Sequence, residues 1–289
     1  MVCELRRKDG YIDMHVHPPT KEFLIDAGGQ DIEAAAKKFG HPVELKTVEQ
    51  MLDEFSEANV DRLVLFAWDA ETATRRPRVA NEFVSKIVEK YPDRIVGFAS
   101  VDPRKKTAVR DLERAIRDLK LSGLKLHPQV QAFEPNDHRH YPLYSKCAEL
   151  EVPITFHTGS TYWGAGRHGG GGIKLRFSDP MLVDDVAADF PELKIIMAHP
   201  GWPWQDEQLA VATHKENVYI DLSGWSPKYF RPLLVTYMKK LIPHKFLFGT
   251  DYPMLTPQRW LRDFEGLNLS EEVRRMVLRD NARRLLRLE

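Results

Sequence analysis

The chain predicts an α/β fold, a single-domain (β/α)8 barrel of the TIM type with lid insertions at its C-terminal face. Three observations lead there. Eight short β-rich runs alternate with longer helix-period segments across 289 residues, the pattern of a parallel sheet closed on itself. Four of those runs end in histidine or aspartate: Tyr11-Ile-Asp-Met-His15-Val-His17, Ile154-Thr-Phe-His157, Ile195-Ile-Met-Ala-His199 and Phe246-Leu-Phe-Gly-Thr-Asp251. Polar residues at the C-terminal ends of strands are how such a barrel builds a site. No GxGxxG turn follows the first run, which counts against an open doubly wound sheet in its dinucleotide-binding form.

In chain order, the expected strands are Tyr11–His15, Arg62–Phe66, Ile95–Ser100, Gly123–Leu126, Ile154–His157, Ile195–Ala198, Val218–Leu222 and Phe246–Gly249. Between them, apolar residues recur with helical spacing. One stripe has Val48, Met51, Leu52 and Phe55; the next has Val79, Phe83, Ile87 and Val88; a third has Ala108, Leu112, Ala115, Ile116 and Leu119. Later helices are expected to start near Pro142, Pro180, Trp204 and Pro227, proline being suited to a first turn. The last follows Ser270, an N-cap with Glu271 and Glu272 behind it. Two segments exceed the minimal repeat: 18–46, with a short helical stretch at Ile32–Phe39, and the glycine-rich 159–172, read as a mobile lid. With no linker of disordered composition, one domain is expected over 1–289.

Lys+Arg and Asp+Glu each number 42. That balance gives no long-range field for nucleic acid or an anionic membrane. Mean hydropathy is −0.42, and no apolar run reaches the length of a membrane span. The two cysteines, Cys3 and Cys147, form no CxxC pair, as in a reducing compartment, and Met1–Gly10 has no apolar signal-peptide core. A cytoplasmic globular protein acting on a small molecule is expected.

Side chains alternate across a strand, so His15 and His17 project to one side with Asp13 below them. An HxH pair can give two imidazoles to one cation such as Zn²⁺; alone it is a weak motif. It gains weight because His157, His199 and Asp251 end other strands. Lys125 and His127 share a face on the fourth strand. Asp221 and Ser223 share one on the seventh, where either can orient a ligand imidazole. Arg167, His168 and Arg176 flank the Gly169–Gly172 run. Trp163, Trp202, Trp204, Trp225 and Tyr252 follow strand ends, although Trp204 reads as loop packing. An aromatic pocket with a guanidinium suits a flat carboxylate. The glycine run lacks the GK[ST] of a phosphate loop. The 103–106 cluster, Pro-Arg-Lys-Lys, reads as a solvated helix start.

The IDMHVH, FHTG, AHPG and FGTDYP segments, with the terminal Asn281-Ala-Arg-Arg-Leu-Leu286, resemble the amidohydrolase superfamily. More narrowly they resemble its amidohydrolase-related branch, which includes aminocarboxymuconate-semialdehyde and resorcylate decarboxylases. The resemblance runs from Ile12 to Leu286. It implies one divalent metal ion, zinc ahead of manganese, held by His15, His17, His157 and Asp251. It further implies Asp251 and His199 as catalytic groups, with His199 a ligand instead in binuclear members. It implies a homo-oligomer as well. Lys125, in the role of a carboxylated bridge between two metals or as a plain ammonium, joins His127, Arg167, Trp202 and Tyr252 as expected substrate contacts. The reaction expected first is hydrolysis by a metal-activated water on a small carbonyl or carboxylic-acid substrate. The alternative is non-oxidative decarboxylation of an aromatic or unsaturated carboxylic acid by a metal-dependent carboxy-lyase.

Overall fold

The computed structural model describes residues 10–40 and 42–288; Cys3 and most of the N-terminal segment lie outside them. All eight strands form: β1 (Tyr11–Val16), β2 (Val60–Phe66), β3 (Ile95–Phe98), β4 (Leu124–Leu126), β5 (Ile154–His157), β6 (Ile195–Ala198), β7 (Val218–Asp221) and β8 (Phe246–Leu247). They are parallel, in the orders β1-β2-β3 and β4-β5-β6-β7-β8. Two seams close the ring. Ala99 bridges Leu124, and Val16 bridges Tyr252. The Met14 amide also donates to the Phe248 carbonyl at 2.8 Å. Strands covered on both faces read as nearly unbroken apolar runs, which is why short stretches such as ITFH and IIMA are strands.

The helices wrap the outside. Thr47 and Gln50 make a reciprocal capping box on helix Val48–Glu57, and Ser270 accepts from the Val273 amide as the sequence suggests. Two expectations shift. Pro227 opens only a short turn, Pro227–Tyr229, and the helix begins at Pro232, a second proline with its φ preset for a first helical position. Val79 precedes helix Asn81–Lys90 and pairs with Trp68 through its backbone, so Val84 takes the inward position. Cys147 is buried in helix Tyr141–Glu149, and burial pushes its thiol up, as an inert cysteine requires.

A large apolar cluster fills the space between strands and helices. A smaller one, including Val64, Phe66, Phe98, Ile196 and Leu247, reaches the strand-end histidines through Phe66, whose ring centre lies 4.7 Å from that of His15. The first insertion forms a wide helical turn, Glu22–Gly28, and helix Gln30–Phe39. The second runs through Gly169, Gly170 and Gly171, all left-handed with φ of 58°, 61° and 66°, a sequence of conformations that only glycine adopts cheaply.

Candidate metal centre

His15, His17 and Asp251 each offer a ligand atom, and these atoms lie within 4.8 Å of one another. Asp251 Oδ1 is 3.4 Å from His15 Nε2 and 3.6 Å from His17 Nε2. Strand pleating aims the two imidazoles together. Asp251 arrives from the neighbouring β8 side, where its amide donates to the His15 carbonyl at 2.9 Å. Asp221 Oδ2 holds His15 Nδ1 at 2.5 Å, with Ser223 Oγ 3.0 Å from the same nitrogen. That leaves Nε2 turned to the centre. His17 stacks on Phe23 at 4.4 Å between ring centres.

On the far side of the bore, His157 Nδ1 lies 3.0 Å from His199 Nε2. The outer nitrogens of the two rings face carbonyl oxygens: His157 Nε2 that of Ser160, and His199 Nδ1 that of Ser223, each at 3.0 Å. In the tautomers that satisfy both carbonyls, the inner nitrogens carry lone pairs and need a proton or a cation between them. His127 stacks on His157 at 3.8 Å, and its Nε2 is 3.3 Å from Thr161 Oγ1. Lys125 Nζ sits 3.4 Å from His15 Nε2 and 5.1 Å from the centre of the Phe66 ring.

Burial sets the charge states. It holds His15, His17, His127 and His157 well below the ordinary histidine value, helped by neighbouring positive groups, Lys125 among them. His199 falls to about 4 for the same reasons. Burial lowers Lys125 to about 8 against the pull of Asp221 and Asp251, and raises Asp13 to about 8. Asp251 rises well above the usual carboxylate range, also by burial, with Lys125 opposing. Neutral imidazoles with inward lone pairs lie beside the buried Asp13 and Asp221 and the half-buried Asp251, with Lys125 as their neighbouring amine. A divalent cation fits that donor set.

Two residues here pay for their position in backbone strain. His199 and Asp251 have φ of 72° and 63°, conformations that non-glycine residues adopt at a cost of about 1–3 kcal/mol. Each turns its side chain sharply at the end of a strand. Gly224 leaves room for both: a Cβ there would stand 2.6 Å from His199 Nδ1 and 3.3 Å from Asp251 Oδ2.

Phe23 from the first insertion and Thr161, Tyr162 and Trp163 from the second line the cavity with the histidines, Asp251 and Met254. The space left is about 30 Å³, enough for ordered water and too little for an aromatic ring. Trp163 stacks on Trp68 at 4.4 Å, and Tyr162 on Phe39 at 5.5 Å. Three residues expected at the pocket lie elsewhere. Arg167 pairs with Asp31, which Arg76 also holds at 2.8 Å. Trp202 is 52% exposed and rests near Trp225. Tyr252 is buried between strand and helix, its hydroxyl 3.1 Å from Glu54 Oε2. Of the lining side chains, Phe23, Tyr162 and Met254 carry no motif that singles them out in the sequence.

A family model described as amidohydrolase matches residues 12–288. The chain belongs to the amidohydrolase family. It is accordingly an enzyme of the metal-dependent hydrolase or carboxy-lyase kind, as the motifs predict. A gamma-resorcylate decarboxylase from Polaromonas sp. is 25% identical over 265 residues, covering 76% of this chain and 78% of that protein. A TIM-barrel protein from Bordetella bronchiseptica superposes with a TM-score of 0.81 at 26% identity, over 96% of this chain and 98% of its own. A dihydroxybenzoic acid decarboxylase from Polaromonas sp., solved with bound manganese and 2-nitroresorcinol, gives a TM-score of 0.70 at 22% identity, with 97% of each chain covered. Among the described residues, no helix is long and apolar enough to cross a membrane.

Proposed function

We propose that this amidohydrolase is a metal-dependent non-oxidative decarboxylase of a small hydroxylated aromatic or unsaturated carboxylic acid. The observation that carries the reading is the convergence of His15, His17 and Asp251 at the mouth of the barrel, under a roof of aromatic rings. The decarboxylase relative at 25% identity favours this reaction over the hydrolysis expected first. His15, His17 and Asp251 would hold the metal, with His157 Nδ1 as the fourth donor. Zinc and manganese are the candidates, the latter because a structural relative carries it. When bound, the metal would supply Lewis acidity toward the substrate's oxygens.

The chain's own groups do the rest. Asp251 turns Oδ1 to the imidazoles, which leaves Oδ2 to carry a proton to the substrate carbon as the bond to the carboxyl carbon breaks and CO₂ leaves. His199 donates Nδ1–H to the Ser223 carbonyl, which leaves an Nε2 lone pair able to accept from a substrate hydroxyl. Asp221 fixes the tautomer of His15. Phe23, Tyr162 and Trp163 exclude water and offer faces to a flat ring. The space under the roof is about 30 Å³, too little for an aromatic ring, so the second insertion would act as a lid that lifts Tyr162 and Trp163 to admit substrate.

The test is metal content by elemental mass spectrometry, followed by CO₂ release from a panel of hydroxybenzoates and unsaturated acids by protein loaded with zinc or manganese. About one metal per chain with CO₂ release supports the reading. Hydrolysis of lactones or amides with no CO₂ from any acid would overturn it.

A further inference from the structure

A second and much larger cavity, about 550 Å³, lies outside the metal pocket. It lies among the loops after β3, β4 and β5, and it shares no lining residue with the metal pocket. Its volume falls within the roughly 300–1,000 Å³ of small-molecule sites. Five cations line it, Arg104, Lys105, Lys106, Arg139 and Arg176, against two carboxylates, Glu134 and Asp137. Since the whole chain is neutral, this surplus is local.

Three of the cations are engaged. Lys105 pairs with Asp69 and Glu71, Arg139 with Asp137, and Arg176 with Glu134 at 3.6 Å. Among the described residues, the exposed side chains of Arg104 and Lys106 have no ion-pair or hydrogen-bond partner. They sit two positions apart on one turn, at the rim of the same cavity. His140 also lines it, nine-tenths buried, with Nδ1 lacking a hydrogen-bond partner. Phe133 and Phe177 supply an aromatic wall, the latter with the Arg176 guanidinium 4.8 Å above its ring.

We propose that this groove binds a small ring-bearing phosphate monoester, of the nucleoside monophosphate kind, at a site separate from the metal centre. Two unengaged cations side by side match a dianion better than a single carboxylate, and a guanidinium takes phosphate oxygens in pairs. The aromatic wall takes the ring. Arg104 and Lys106 line the groove and not the metal pocket, so loss of binding on replacing them assigns the ligand to the groove.

The experiment is isothermal titration of the metal-loaded full chain with adenosine monophosphate at fixed ionic strength, with adenosine and inorganic phosphate as parallel arms. The expected result is saturable binding of the monophosphate with a dissociation constant below about 1 mM. Inorganic phosphate should bind more weakly, and adenosine should not bind. An Arg104→Ala/Lys106→Ala variant should weaken the monophosphate at least about tenfold. Both side chains are exposed, and unchanged metal content verifies that the variant is folded. Absence of saturation, equal binding of adenosine, or full affinity in the double variant would overturn the site. Inorganic phosphate binding as tightly as the monophosphate would overturn the ring-bearing class.

Discussion

At the floor of the site, His15, His17 and Asp251 leave strands whose backbones hydrogen-bond to one another; at the roof, Phe23, Tyr162 and Trp163 hang from two insertions that meet through side chains. The floor inherits its precision from the barrel. Placing Asp251 beside His15 needs only the β1–β8 seam, where the Asp251 amide meets the His15 carbonyl. The roof depends on one buried carboxylate, Asp31, gripped by Arg76 and Arg167, and on ring contacts such as Phe39 with Tyr162. In the proposed function, chemistry belongs to the region built on strand pairing, and access to the one built on loop contacts.

Substitutions should divide along that line. The largest effect is expected of Asp251→Asn, which keeps the shape but removes the proposed proton carrier and metal ligand. Turnover should fall at least about a thousandfold, and steady-state kinetics with metal analysis would check it; near-normal activity would remove Asp251 from its role. Asp221→Asn, one contact further out, should cost about 10- to 100-fold in metal affinity or activity, read by titrating metal into chelator-stripped protein. Gly224→Ala should displace His199 and add about 1–2 kcal/mol of backbone strain. Its signature is a lower melting temperature together with a reduced kcat. Smallest is Arg167→Ala at the roof, where Arg76 still holds Asp31. Metal content and kcat should stay near wild type, while limited proteolysis within residues 159–172 should quicken. A collapse of metal binding in that variant would erase the distinction between floor and roof.

The same division separates what can be read from sequence from what cannot. β5 and β6 announce themselves, because each is an apolar run buried on both faces and ending at a histidine. Their bounds, Ile154–His157 and Ile195–Ala198, coincide with the expected ones. His157 and His199 are legible as strand-end residues, and Ser223 as a residue able to orient an imidazole, yet the facing geometry also depends on the carbonyl of Ser160, which no motif marks. Arg167 looks like a substrate contact because it borders a glycine run. Its partner lies 136 residues earlier, and an ion pair between two insertions leaves no local periodic trace. Trp202 and Tyr252 follow strand ends as pocket residues do, but the chain turns one out to solvent and the other back onto Glu54. Strand pairing is repetitive and local in pattern; loop-to-loop contact is neither.

The left-handed backbone at His199 and Asp251 carries a consequence for how this protein responds to selection. A glycine at either position would relax the main chain and raise the melting temperature by removing strain of about 1–3 kcal/mol, while deleting a group the proposed chemistry uses. Screens for thermostability alone would therefore drift toward a sturdier, silent barrel, and engineering of this scaffold has to hold both positions constant while seeking tolerance to heat elsewhere.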